Sequence, residues 1–197
     1  MRILSVNVAR VSRLVVGGQP VASAIGKQPV ASAIGKQPVA GAVRVGPLGL
    51  EGDEQADPTV HGGLSRAVYA YPAEHHGFWR TVRAQAKVAA WDAPVPPGLL
   101  GENLTIEGLT EDRLFVGDQL HLPGCVLAVT APRFPCAKLG AAMGFAQAVK
   151  LMTQSGFCGV YLGVIEPGQL QAGDRIELVE GPREVSVREL FRGRVRG

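Results

Sequence analysis

Cys136 stands in the segment Ala131-Pro132-Arg133-Phe134-Pro135-Cys136-Ala137-Lys138-Leu139. Arg133 and Lys138 on either side of it would favour a thiolate over a thiol. The thiolate is both the nucleophile and the soft metal ligand. An apolar run from Cys125 to Thr130 reads as a strand leading into this segment. The other two cysteines, Cys125 and Cys158, lie inside apolar strand-like runs and read as packing residues. A second chemistry-bearing stretch lies upstream, in Gly49-Leu50-Glu51-Gly52-Asp53-Glu54-Gln55-Ala56-Asp57 followed by His61-Gly62-Gly63. Glycines let backbone approach a ligand closely, and an imidazole beside them donates a hydrogen bond or a proton near neutral pH.

Elements must hold these two stretches together, and the composition says what kind. The chain has 197 residues, 46% apolar and 19% charged, with a net charge of +3. That is enough for one sizeable core and gives no basis for a nucleic-acid or membrane-surface partner. Three cysteines with no Cys-x-x-Cys pair argue against a disulfide framework and against a zinc site. A reducing cytoplasm is the expected compartment. The first residues lack the apolar core and cleavage site of a signal peptide, and no apolar run is long enough to span a bilayer.

Short β-rich runs bounded by Gly or Pro recur at Ile3 to Val8, Leu14 to Val16, Ala67 to Tyr71, Leu114 to Val116, Val126 to Thr130, Val160 to Ile165, Ile176 to Val179 and Val185 to Val187. Val116-Gly117-Asp118 and Ala172-Gly173-Asp174 each place a Gly-Asp turn before an alternating strand. Two helices are expected. One follows Pro72 from Ala73 to Ala90, and one runs from Ala141 to Gln154 with Gly156 as its C-cap. Many strands and few helices predict a β-rich α+β fold, a β-barrel with peripheral helices. Tyr71, Phe78 and Trp79 read as core, and His75 and His76 as neutral or solvated residues at a helix start. One domain is expected over residues 1–182, with its core at 46–180. Arg183, Arg188, Arg192, Arg194 and Arg196 then mark residues 183–197 as a short basic tail, solvated and disordered.

A direct repeat interrupts this pattern. Gln19 to Lys27 reads QPVASAIGK, Gln28 to Lys36 reads the same, and Gln37 to Val45 continues as QPVAGAVRV. This is too short for a solenoid and reads as an in-frame duplication, which costs little in a surface loop. It creates two equivalent lysines, Lys27 and Lys36, for one position. An odd repeat length would invert strand facing within a continuous strand, so the extra copy is expected to loop out or extend a hairpin beyond the sheet.

Leu48 to Gly63, Tyr71-Pro72-x-Glu74-His75-x-x-Phe78-Trp79, Gly101-Glu102-Asn103-Leu104, Val116-Gly117-Asp118 and the Pro132 to Leu139 segment follow one another in the order found in MOSC-domain proteins. The chain resembles that family, in its bacterial stand-alone YiiM-type branch, from Ser5 to about Leu190. The resemblance implies a MOSC-type β-barrel that binds the molybdenum cofactor, a molybdopterin, with Cys136 as the metal ligand. A soft thiolate is the ligand such a centre takes besides the pterin dithiolene. It also implies reduction of N-hydroxylated compounds such as hydroxylaminopurines or amidoximes. Electrons would come from a separate reductase, since the chain carries no flavin, haem or iron–sulfur motif.

Lys36, Gly62, Gly63, Arg66 and Arg133 are candidates for the pterin phosphate, as cations and backbone donors. Asp53, Asn103 and Lys138 complete the cofactor-binding set, Asn103 because its amide suits a pterin edge. His61 is a candidate to line the site, either as a cofactor contact or as a proton donor. The alternative is a molybdenum cofactor or sulfur carrier using a persulfide on Cys136 without small-molecule turnover. Pyridoxal phosphate binding is also associated with the family, but this chain shows no pyridoxal-phosphate desulfurase domain, which disfavours sulfurase activity. Longer members carry a helical C-terminal extension, and Val185 to Phe191 matches only its beginning.

Overall fold

The computed structural model describes residues 1–13, 15–16, 19–20, 31–32, 34–54 and 62–196. In chain order the strands are β1 (Arg2–Val8), β2 (Ser12–Arg13), β3 (Val15–Val16), β4 (Gln19–Pro20), β5 (Ala31–Ser32), β6 (Gln37–Pro38), β7 (Val43–Gly46), β8 (Gly49–Leu50), β9 (Val68–Pro72), β10 (Leu104–Glu107), β11 (Gln119–Leu122), β12 (Cys125–Pro132), β13 (Val160–Glu166), β14 (Gly168–Leu170) and β15 (Glu177–Val179). The helices are α1 (His76–Gln85), α2 (Ala137–Met143), α3 (Ala148–Ser155) and α4 (Val187–Arg196).

Eight strands form one sheet in the order β15-β11-β12-β13-β9-β10-β1-β6, antiparallel throughout except for the parallel pair β9–β10. Its two ends meet. Arg2 bridges Arg175, Ile3 N–H donates to the Asp174 carbonyl at 2.9 Å, and Ile176 N–H donates to the Met1 carbonyl at 3.0 Å. The sheet is therefore curled into a half-barrel, as the β-rich α+β reading predicts. A smaller sheet, β14-β7-β8, packs against it.

Strand β9 shows how alternation divides the interior. Its side chains point to opposite faces with period two. Val68 and Ala70 join the apolar filling of the half-barrel, with Ile3, Leu104, Leu127 and Leu162. Tyr69 and Tyr71 join a second core under the helices, with Trp79, Leu139, Met143, Met152 and Phe191. Tyr71 and Trp79 are thus core residues, as read from the sequence, and the Trp79 indole donates to the Tyr71 hydroxyl.

The two Gly-Asp turns behave alike. Gly117 and Gly173 sit at φ 93° and 94°, and each following aspartate accepts the N–H three residues back, Asp118 from Phe115 and Asp174 from Gln171, both at 2.9 Å. They open into β11 and β15, which pair with each other.

Other expectations are corrected. Leu114–Val116 is not a strand, because Asp118 takes the Phe115 N–H; one isolated bridge, Phe115 to Ser186, remains. The first long helix ends at Gln85, followed by Lys87 at φ 60°. The second is two helices, broken where Gly144 turns left-handed at φ 79°, and it starts earlier, at Ala137. Gly156 does cap the later one in the left-handed conformation.

The basic tail is not solvated coil. Ser186 and Glu189 form a capping box, in which the Ser186 hydroxyl accepts the Glu189 N–H at 3.1 Å and Glu189 accepts the Ser186 N–H at 2.9 Å. Helix α4 follows and buries Val187 and Phe191 completely. Val187 joins the half-barrel filling and Phe191 the second core, while Arg192 is exposed.

Of the direct repeat, β4 belongs to the first copy and β5 to the second. Val15 pairs with Pro20 and Val16 with Gln19; Ser12 pairs with Ser32 and Arg13 with Ala31. Moving the second set back by nine positions, the repeat length, gives Ser23 and Ala22, and all four pairs then lie on one ladder. The described parts of the repeat up to Ser32 pair outside the eight-stranded sheet. Lys27 lies outside the described residues.

Candidate functional site

The end of β12 delivers the Cys136 segment. Pro132 pairs with Val160 on β13, and the chain then leaves the sheet. Cys136 is the N-cap of α2 in an extended conformation, and its carbonyl accepts the Leu139 N–H at 2.9 Å. Its side chain makes no capping bond. The Cys136 side is half-buried, while Cys125 and Cys158 are buried; none of the three is in a disulfide. Burial pushes the Cys125 thiol up to about 11 and raises Cys158 well above its ordinary value, so both are inert packing residues as read from the sequence.

Arg133 is the electrostatic centre. Its side chain is enclosed, with 4% of the residue exposed. Its guanidinium lies 5.6 Å from the Tyr69 ring centroid, and one nitrogen is 3.4 Å from the Met152 sulfur. Among the described residues no carboxylate is within ion-pair distance of it. Burial opposes the charge, but the oxygens of Tyr69 and Tyr161 and the sulfurs of Cys136 and Cys158 outweigh it and hold the pKa above the ordinary arginine value. Tyr161, on β13 beside Ala131, faces the same group: burial raises its phenol, while Arg133 and Arg66 pull it down and Cys136 pushes it up. Arg66 lies 5.8 Å over the Tyr161 ring. Gly63, just upstream, takes φ 84° with open space where a side chain would be. The structure thus brings Arg66, Arg133 and Cys136 around Tyr161, a residue the sequence reading did not single out. Lys138 is half-buried in the first turn of α2, and Gly62 is half-buried beside Gly63. His61 lies outside the described residues.

A second group forms where β1 ends. Asp53 receives the Lys36 ammonium on both oxygens, the Ala9 N–H at 2.8 Å and the Asn103 amide at 2.8 Å. Lys36 and Asp53 expose only 8% and 7% of their side chains. Burial lowers the lysine pKa against the pull of Asp53. The Asn103 oxygen accepts the Tyr69 N–H at 3.1 Å and its nitrogen also reaches the Asn7 carbonyl at 3.3 Å, so its amide is engaged on both ends. Lys36, Asp53 and Asn103 therefore meet, but they satisfy one another.

Behind them, Glu102 is fully buried and accepts the Gly98 and Leu100 N–H groups at 2.7 and 3.1 Å and the Thr105 hydroxyl at 3.1 Å. Burial pushes its carboxyl up to about 7 against those bonds. The loop it holds presses on Lys36: a side chain at Gly98 would come 2.3 Å from the Lys36 carbonyl oxygen.

His75 is not solvated. It is buried, stacks on Phe157 at 3.9 Å, and its Nε2 meets Glu111 at 2.7 Å; the other Glu111 oxygen accepts the Gly159 N–H at 2.7 Å. Gly159 in turn receives the Arg133 N–H at 3.4 Å, so this pair helps fix the backbone that carries the arginine. Burial lowers the His76 pKa, and His75 lowers it further.

A curled half-barrel with a cysteine at its rim, set against a buried arginine, defines the class. Residues 57–177 match the MOSC domain family, and the chain belongs to it. Among its relatives, YiiM of Escherichia coli is 40% identical over 143 residues, which cover 72% of this chain and 61% of that protein. A protein named reductase from Gibberella moniliformis is 34% identical over 139 residues, 68% of this chain and 23% of that one. The crystal structure of YiiM from Geobacillus stearothermophilus superposes with a TM-score of 0.74 at 29% identity, over 98% of this chain and 83% of that one. The chain thus spans less than two thirds of the length of the curated relatives named here. MOSC domains are associated with the molybdenum cofactor. Among the described residues no helix is long and apolar enough to cross a membrane.

Proposed function

We propose that this protein is a molybdenum cofactor-dependent oxidoreductase that reduces N-hydroxylated compounds of the hydroxylaminopurine or amidoxime type with electrons from a separate reductase. The observation that carries the reading is Arg133: a buried guanidinium with no carboxylate partner among the described residues, close to the half-buried Cys136. A buried charge is costly unless it is paired, so the site is built for an anion. A phosphate-bearing cofactor with an oxyanionic metal centre fits that requirement, and a thiolate is a fitting ligand for the metal. Family membership and the fungal relative named reductase support the redox assignment.

Cys136 would hold the metal. Arg133, Arg66 and Lys138 would neutralise the phosphate, with backbone N–H groups at Gly62 and Gly63. When bound, the cofactor supplies two-electron chemistry, by which N–OH, two electrons and two protons become N–H and water. Tyr161 stays protonated because burial raises its phenol, and it is placed to donate a hydrogen bond or proton near Cys136. The Lys36–Asp53–Asn103 group holds the loops around the site in register. Pyridoxal phosphate has no support from the relatives found.

The test is anaerobic turnover of 6-hydroxylaminopurine by cofactor-loaded protein with reduced viologen, alongside metal analysis. Stoichiometric, slowly exchanging molybdenum with turnover supports the enzyme. A persulfide on Cys136 without retained metal would replace it with the carrier.

A further inference from the structure

We propose that helix α4 is a clamp that positions Cys136, with Phe191 and Arg194 as its jaws. Phe134 lies two residues before Cys136, in the stretch that leaves β12 and has no ladder partner of its own. Its ring stacks on Phe191 with centroids 5.3 Å apart and planes 12° from parallel. The Arg194 guanidinium lies 5.2 Å from the same ring. Phe191 and Arg194 are three residues apart on one helix, and positions three apart share a helix face. A single face of α4 therefore grips the aromatic side chain that precedes the cysteine.

The grip has a fixed anchor. The capping box at Ser186 and Glu189 sets the start of α4. The Val187 N–H donates to the Leu114 carbonyl at 2.8 Å, and the Arg188 N–H to the Glu111 carbonyl at 3.0 Å. Glu111 is the residue that holds His75 and Gly159, and the Gly159 carbonyl receives the Arg133 N–H. The segment 111–114 thus connects to two neighbouring residues just before Cys136: to Arg133 through Gly159, and to Phe134 through α4. Pro135 adds stiffness between the gripped ring and the sulfur, because its φ is fixed.

The proposal rests on the reading of Cys136 as the reactive residue, but its test needs no cofactor. Cofactor-free protein is treated with iodoacetamide, and the alkylation of each cysteine is followed by peptide mass spectrometry. Cys125 and Cys158 serve as internal monitors of general opening, since both are buried in the two cores. Phe191→Ala is expected to raise the Cys136 rate by at least about threefold while Cys125 and Cys158 stay protected, because only local order is lost. Phe191→Tyr restores the stack and should return the rate to that of wild type. Arg194→Ala leaves no core cavity, so it keeps the test valid if Phe191→Ala folds poorly; it should raise the Cys136 rate by a smaller factor. Equal Cys136 rates in wild type and both alanine variants would overturn the clamp. So would parallel labelling of all three cysteines, which would make Phe191 a core residue with no particular hold on the site. Failure of molybdenum binding would leave these rates untouched, so the two readings fail separately.

Discussion

The Asp53 corner and the Cys136 corner both lean on Tyr69, yet they treat charge in opposite ways. At Asp53 a carboxylate takes bonds from an ammonium, an amide and a backbone N–H, and nothing is left over. At Cys136 a guanidinium is buried against aromatic rings and sulfur, with no carboxylate among the described residues. The first corner is complete as folded. The second has a buried charge that the proposed cofactor would pair. Proximity to a motif does not by itself make a residue a ligand; what counts is whether its polar capacity is already used.

The comparison breaks most sharply at the cysteine. Cys136→Ser should abolish metal retention and reductase activity while leaving the melting temperature unchanged, because a hydroxyl is a harder and far less acidic ligand. Full turnover in that variant would end the assignment.

The completed corner should fail through stability instead. Asp53→Ala strands the buried Lys36 ammonium and is expected to cost on the order of 3–5 kcal/mol in chemical denaturation. A loss below about 1 kcal/mol would mean that the pair is not a structural lock.

Glu102 supplies a pH signature for the same corner. Its carboxyl is raised from 4.5 to about 7 in the folded protein. Below pH 4.5 it is protonated in both states and its contribution is intact. As pH rises toward 7 the unfolded chain ionises first, and stability falls by on the order of 3 kcal/mol before levelling off. Glu102→Gln should flatten that part of the wild-type profile, and an unchanged slope would remove Glu102 from the account.

For the open corner, Arg133→Met keeps the apolar stem and removes the charge. Stability should stay within about 1 kcal/mol of wild type, since replacing a buried charge by an apolar side chain of similar volume is often neutral. Retention of pterin phosphate, measured after desalting, should drop. A large loss of stability with cofactor retained would show that the charge is already balanced.

The smallest effect is expected from deleting Gln28 to Lys36. Lys27 then precedes Gln37, as Lys36 does now, and a shorter surface connection changes stability by no more than about 1 kcal/mol. Unfolding on deletion would make the insert structural.

Much of this architecture is legible one residue at a time. Most of the β-rich runs, the Gly-Asp turns, and the core tyrosine and tryptophan follow from local chemistry. What escaped depends on distant partners. Glu102 looks like any turn carboxylate until the Gly98 and Leu100 N–H groups close on it. His75 reads as a surface residue unless Glu111 is known to face it. The arginines of α4 outweigh, to the eye, the Val187 and Phe191 that decide where it packs. Strand β10 was hidden inside a motif noted for its polar residues, because its apolar positions Leu104 and Ile106 are few. Local signals specify elements, whereas pairing between remote carboxylates and backbone needs the fold itself.

The hairpin ladder has a consequence for how this chain can change. Because the period-nine pattern runs unbroken from Gln19 to Ala40, removing any nine consecutive residues, from Gln19–Lys27 through Ser32–Ala40, produces the same polypeptide. In every one of those products the residues that follow Val16 are the same, and they include the residue types that Val15, Val16, Ser12 and Arg13 pair with now. Recombination between the copies is therefore anonymous: the descendant keeps no record of which segment was lost, and selection acting on the folded protein has only one outcome to judge.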